Sequence, residues 1–286
     1  QEILVWTDSA LYALQYVGAP AVWTAQLVGE NISTASQNAV AYSNGVAYWM
    51  GRDKFYMYDG RTKPLKCDLR KFIFDDFNQE QFDGVFAGTN ESYHEIWWFY
   101  CSNNSTSSDR YVVYNYLEGV WYYGTMARSA WLDSGLRNNP LAATYNYNLV
   151  NHEEGVDDNE TANTAAIAAY VTSAQFDLDD GHQFMYIDKI LPDMRFDDSV
   201  SGAPSATITL LPLASSGAGY TTPASVGGNA SASVIRSAIL PVEVYTDQIH
   251  TRIRGRQLSI KVESTAIGVT WQMGTPRIDM RPDGRR

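Results

Sequence analysis

Between residues 2 and 151 the chain repeats one pattern of apolar and polar positions. An apolar run of strand length is followed by a polar turn, then by a tyrosine-rich run ending near Asp or Asn, then by Gly and often Trp. Residues 3–6 (ILVW) and 11–14 (LYAL), with Trp23, are the first instance. Residues 46–49 (VAYW), 55–58 (FYMY), Asp59 and Gly60 are the second. Residues 95–100 (EIWWFY), the Ser/Asn turn at 102–109, 110–115 (RYVVYN) and Gly119 with Trp121 are the third. The starts at Ile3, Val46 and Ile96 lie 43 and 50 residues apart. That is close to the roughly 40 to 50 residues of a four-stranded propeller blade. A shorter hairpin at 141–150, turning at Asn146, predicts part of a fourth blade. One segment, 68–77, spaces Leu69, Phe72, Ile73 and Phe77 almost helically and predicts a short helix or an irregular loop between blades.

From residue 166 the rhythm is lost. Strands are predicted over 168–177, 183–191, 205–211, 233–244, 252–263 and 268–273. The Gly/Ser/Ala/Thr-rich, nearly uncharged segment 214–232 reads as a flexible or partner-ordered loop. Around Gly255 the register changes parity. Ile249 and Ile253 are odd and Arg252, Arg254 and Arg256 even, whereas beyond it Leu258, Ile260 and Val262 are even. A strand has a side-chain period of two, so one buried face survives that change only with an extra residue, which predicts a bulge at 254–257. Pro276, Pro282 and Gly284 are expected to end regular structure and leave a basic tail. The expected fold is all-β. Residues 1–165 form a β-propeller-like region, and residues 166–286 form either a β-sandwich or further, closing propeller strands.

Charge adds an asymmetry. The chain of 286 residues carries a net charge of −11, yet residues 250–286 hold eight Arg or Lys against three Asp or Glu, or +5, leaving −16 for residues 1–249. An acidic body disfavours groove-type DNA binding, which neutralises phosphates. It suits equally a surface past which DNA slides and plain solubility. The basic end supplies the candidate interface or DNA-channel residues: Arg252, Arg254 and Arg256 on a strand, then Arg277, Arg281, Arg285 and Arg286 on the tail.

Catalytic chemistry finds little footing. The pairs Asp75/Asp76, Asp157/Asp158, Asp179/Asp180 and Asp197/Asp198 fall at predicted turns, and neighbouring strand residues point to opposite faces, so no pair brackets a substrate. Asp177, Asp179 and Asp180 lack the spacing of a calcium loop. Cys67 and Cys101, the two cysteines, read as free thiols or one bridge and set no metal spacing. His94, His152, His182 and His250 are isolated, and neither a phosphate-binding loop nor a nucleophile elbow occurs. No catalytic, cofactor-binding or metal residue is assigned, and no cofactor is expected. The aromatic clusters 97–100 and 121–123 are expected to fill blade cores with half of their side chains, leaving the other half for subunit contacts. No apolar run reaches membrane-helix length, so no membrane span is expected. Gln1 already borders a strand-like run without an initiator Met, as in a truncated or processed chain.

The strings RIRGRQLSIKVES at 252–264 and GTPRIDMRPDGRR at 274–286 also carry a resemblance. With FDLDDGHQF at 176–184, ILPD at 190–193, PLAA at 140–143 and HEEGVDD at 152–158, they resemble a family of virion proteins from short-tailed bacteriophages, the packaged-DNA stabilisation or tail hub and nozzle proteins. The resemblance covers most of the chain and its motifs are structural strings. It implies a virion location and a non-enzymatic structural role in a homo-hexameric ring that prolongs the portal channel. It further implies portal or adaptor neighbours, docked tail fibres or a needle, and transient contact with packaged DNA. Two other readings stay open: a propeller glycosidase acting on host polysaccharide, and a non-catalytic propeller that binds sugar or protein.

Overall fold

The computed structural model describes residues 2–133, 139–213 and 237–284. It is all-β and divides into two compact units, Gln1–Glu154 and Gly155–Arg286. The division falls ahead of the 165/166 boundary expected from the change in rhythm.

Unit 1 is four antiparallel meanders in chain order. The first sheet contains β1 (Glu2–Trp6), β2 (Ala10–Tyr16) and β3 (Trp23–Glu30). The second contains β4 (Val40–Ser43), β5 (Val46–Met50), β6 (Phe55–Tyr58) and β7 (Thr62–Leu65). After the short helix α1 (Arg70–Asp75), the third contains β8 (Phe86–Asn90), β9 (Glu95–Tyr100), β10 (Arg110–Asn115) and β11 (Val120–Thr125). The fourth contains β12 (Ala130–Leu132), β13 (Leu141–Ala143) and β14 (Leu149–Asn151). Each repeat in the sequence is therefore one sheet. The starts at Val46 and Ile96 mark second strands, because β4 and β8 carry weaker apolar signals.

Alternation of side chains then stacks the sheets. Trp49, Tyr56 and Tyr58 point one way from the second sheet and share a core with Leu4, Trp6 and Leu11 of the first. Their neighbours Tyr48, Met50 and Phe55 point the other way and meet Ile96, Trp98 and Tyr100 of the third. From the opposite face of the third sheet, Trp97, Phe99 and Val113 meet Trp131 of the fourth. All six residues of β9 are consequently buried. The expectation that half of 97–100 would face outward is corrected here, because a sheet packed on both sides has no outward half. First strands lie nearest one another: Ala87 N donates to Asn38 O at 2.7 Å, Trp98 Nε1 to Ala39 O at 3.0 Å, and Trp131 Nε1 to Thr89 O at 2.8 Å. Cys67 and Cys101 are free thiols beside this core, and burial pushes Cys67 up to about 11.

Unit 2 opens with a short hairpin, β15 (Asp157–Asp158) and β16 (Ala165–Ala166), so the Asp157/Asp158 pair lies in a strand and not in a turn. A five-stranded sheet follows from β17 (Ala169–Thr172), β18 (Phe176–Asp177), β21 (Ser205–Leu213), β22 (Ala238–Glu243) and β24 (Gln257–Ser264). A three-stranded sheet has β19 (Met185–Leu191) between β23 (Ile249–Gly255) and β26 (Arg277–Pro282). The two-residue strands β20 (Met194–Arg195) and β25 (Gln272–Met273) pair separately. One core joins the two larger sheets: Met185, Ile187 and Ile253 of the smaller, with Ile208, Leu210 and Val262 of the larger.

Three expectations for the C-terminus change. The parity shift at Gly255 is no bulge, because β23 and β24 belong to different sheets and the chain crosses between them at Arg256. Each strand then keeps its own buried parity, as strands that turn sandwich corners do. Gly255 is required by close approach, since a Cβ there would lie 2.8 Å from Pro212 Cβ. The strand expected at 268–273 shrinks to β25, with Gly268 in a turn at φ 73°. Finally, Arg277 and Arg281 are not on a broken tail but on β26, an edge strand whose last residue, Pro282, is tolerated because only one side is paired. The segment 214–232 and the tail residues Arg285 and Arg286 lie outside the described residues.

Candidate functional site

The arginines singled out in the sequence meet mainly on the outer face of the β23–β19–β26 sheet. On β23, Arg252 and Arg254 flank buried Ile253. On β26, exposed Arg277, Asp279 and Arg281 alternate with half-buried Ile278 and Met280, which pack on the core. Tyr186 of β19 lies in register between Arg254 and Arg281. The strand pairing thus brings together two pairs of guanidinium groups, Arg252 with Arg254 and Arg277 with Arg281, whose nearest members are 23 residues apart along the chain.

Two of the four have partners on the sheet, Arg254 closely and Arg281 loosely. Arg254 Nε donates to Asp283 Oδ2 at 2.5 Å and its Nη2 to Asp283 O at 3.1 Å, while the guanidinium lies 4.2 Å from the Phe184 ring centroid. Arg281 lies 4.8 Å from the Tyr186 ring and 4.0 Å from Asp188 Oδ2. Such stacking contributes about 0.5–1 kcal/mol at exposed positions and restricts the long side chain. The side chains of Arg252 and Arg277 make no hydrogen bond or ion pair among the described residues and stand exposed on the two outer strands. Lys189 adds a fifth cation and reaches Asp279 at 3.8 Å.

Arg256 departs from the expected alternating row. At the crossing between sheets, its backbone N–H donates to Leu213 O at 2.8 Å, and Nη1 donates to Gly181 O and His182 O, both at 3.2 Å. Its guanidinium caps Phe184 at 4.9 Å. This arginine ties a turn to the core and leaves the open face to the other four.

A second cluster, between the third and fourth sheets, was missed by sequence reasoning. Asn90, Glu95, Trp97 and Tyr122 share one face of the third sheet by register. Glu95 is 8% exposed and accepts from Trp97 Nε1 at 2.9 Å, Asn90 Nδ2 at 3.4 Å and the Tyr122 hydroxyl. The same Asn90 Nδ2 donates to Glu153 Oε1 at 3.2 Å. Glu153 is exposed as a residue and sits in the left-handed region at φ 57°, a conformation that turns its carboxyl inward onto Asn90. Burial of that carboxyl, and then the neighbouring Glu95, raise its pKa above the usual carboxylate range, against the lowering by Asn90. Burial and then Glu95 likewise push the Tyr122 hydroxyl upward. Glu95 and Glu153 are 58 residues apart in the chain, and neither adjoins the Asp pairs, so no spacing pointed to them.

The acidic turns do not gather into a ligand set. Asp177 Oδ2 accepts from Gln257 Nε2 at 3.3 Å and Asp180 Oδ1 from His182 N at 3.4 Å. Among the described residues no group of three or more His, Cys, Asp or Glu is placed to hold a metal ion, and no helix is long and apolar enough to cross a membrane. Compared with known protein families and with characterised proteins, the chain matches none.

Proposed function

We propose that the chain is a structural subunit of a short-tailed bacteriophage tail, of the hub or nozzle kind, which binds its neighbours through the β23–β19–β26 face. The observation that carries this reading is the gathering on one sheet face of two guanidiniums with partners, Arg254 and Arg281, and two without, Arg252 and Arg277. Forked cations on an ordered strand surface suit bidentate contacts with carboxylates, and the acidic remainder of the chain offers many on an adjacent copy. The four stacked meanders, with first strands innermost, support a propeller-like arrangement of unit 1. The shared core of two sheets supports a sandwich for unit 2. The sequence resemblance supplies the setting: a hexameric ring in the virion, between portal or adaptor and fibres or needle, with packaged DNA passing through.

The test is the double variant Arg252→Ala and Arg277→Ala in the phage. The expected outcome is failure of tail assembly with the protein itself folded. Intact particles that lose their DNA would move these arginines to phosphate contact, with binding that weakens steeply as salt rises. Normal particles that retain DNA would overturn the reading.

A glycosidase reading has one observation in its favour, the Glu95–Glu153 pair. Both carboxyls lie on one amide group, as an acid–base pair must converge on one bond. Glu95, however, is already committed to Trp97, Asn90 and Tyr122. Polysaccharide hydrolysis lost in Glu153→Gln would favour the enzyme over the structural subunit.

A further inference from the structure

Two carboxyls share one donor where the chain leaves the fourth sheet. Beyond β14, His152 N donates to Pro140 O at 2.8 Å, and Glu153 then turns its side chain back onto the third sheet through a left-handed φ of 57°. There the Nδ2 of fully buried Asn90 donates both to Glu153 Oε1 at 3.2 Å and to Glu95 Oε2 at 3.4 Å. A single neutral amide therefore stands between the two acids.

The other donors are divided unequally. Glu95 also accepts from Trp97 Nε1 and from the Tyr122 hydroxyl, so it has three donors. Glu153 has Asn90 alone among the described residues. None of the groups acting on the Glu153 carboxyl is a cation. Two like charges on one shared, half-dry donor disfavour each other, and the pair retains a proton that separate carboxyls would release. It belongs on Glu153, the acid with fewer donors, and burial followed by Glu95 raises the pKa of that group accordingly. Since Glu153 is exposed as a residue, an ionised side chain has a short way out to water.

The remaining titratable neighbours do not act in the same sense. The Tyr122 hydroxyl, with Tyr111 beside it, is pushed upward and stays a donor. Glu154 is exposed and accepts from Asn151 Nδ2 at 2.9 Å. His152 lies 4.6 Å from the Trp131 ring, and its Nε2 accepts from Arg128 Nε at 3.0 Å. Protonation of that imidazole would set a second cation against Arg128 and loosen the segment in acid.

We propose that Glu153 is a proton-operated latch that fastens residues 152–154 to the third sheet. With the proton on its carboxyl, the side chain stays on Asn90. Without it, repulsion by Glu95 drives the carboxylate into water, the left-handed φ relaxes and the segment comes free. A group that holds its proton more tightly when docked closes at low pH and opens as pH rises through its raised value. The device lies wholly within unit 1 and is independent of the arginine face and of the virion setting.

Backbone amide NMR relaxation of His152, Glu153 and Glu154, followed from about pH 5 to about pH 9 beside the Glu153 carboxyl titration, tests it. The wild-type segment should be ordered at the acid end and become mobile in step with a Glu153 titration displaced upward. Glu153→Gln should stay ordered throughout, and Glu153→Ala should be mobile throughout. Both substitutions fall on an exposed residue, so the rest of the spectrum should be unchanged. A wild-type segment equally ordered over the whole range would overturn the latch. A transition that persists in Glu153→Gln would overturn it in favour of His152, and order restored at high pH by calcium or magnesium would overturn it in favour of a cation between the two carboxylates.

Discussion

At Glu153, local conformation and electrostatics act on one side chain. A non-glycine residue at φ 57° stores backbone strain, and here it aims a carboxyl at an amide already shared with Glu95. Its folded pKa is raised, so the folded protein holds that proton more tightly than the unfolded chain does. The stabilisation from the protonated form is therefore complete below the unfolded carboxylate value and is lost as pH rises through the raised folded value. Glu153→Gln keeps an acceptor for Asn90 and cannot ionise. The variant should melt above wild type at neutral pH and converge with it in acid, as read by thermal denaturation at a series of pH values. Gly88 is sensitive for a different reason, since a Cβ there would lie 2.2 Å from Trp131 Cδ1 and 2.7 Å from Cγ. The indole is fixed by Thr89 O and by stacking on Trp97 at 5.1 Å, so it cannot yield freely. Gly88→Ala should cost about 1–3 kcal/mol in denaturant unfolding, the range for overpacking a filled core.

Among elements, the edge strand β26 shows how one arginine differs from its neighbour. Arg254 binds both the side chain and the backbone of Asp283 and covers Phe184, which closes the end of β26 onto the sheet. Arg254→Ala should destabilise unit 2 by about 1 kcal/mol, partly screened by salt, because the pair is half exposed and the cation–π contact modest. Arg252→Ala and Arg277→Ala, in contrast, should stay within about 0.5 kcal/mol of wild type, as surface changes without partners do. Equal losses for all three in chemical denaturation would contradict this division between holding the strand and serving a partner.

Over the whole molecule, the two units solve burial differently. Unit 1 stacks sheets, and each added sheet covers the last while exposing another face. Unit 2 closes two sheets around one core. The smaller of those two sheets keeps an outer surface on which charges gather.

Local pattern determined much of this protein by itself. Alternation in 46–58 and 95–115 specified strands because a period of two is a property of the extended backbone. The hairpin around Asn146 was equally legible from turn chemistry, whereas the spacing near Ile73 left a short helix and an irregular loop both open, and the fold takes the helix. What pattern could not convey was which strands are neighbours. The parity change at Gly255 reads alike for a bulge and for a crossing between sheets, and only the pairing of β23 with β19 and of β24 with β21 decides between them. The same limit hid β26, whose alternating Arg and Ile look like a tail until β19 pairs with it. The Asn90–Glu95–Glu153 cluster and the four-arginine face likewise exist only once distant segments meet. Alternation along a strand is local chemistry, whereas register and stacking are relations between segments far apart in the chain, and only the folded structure contains them.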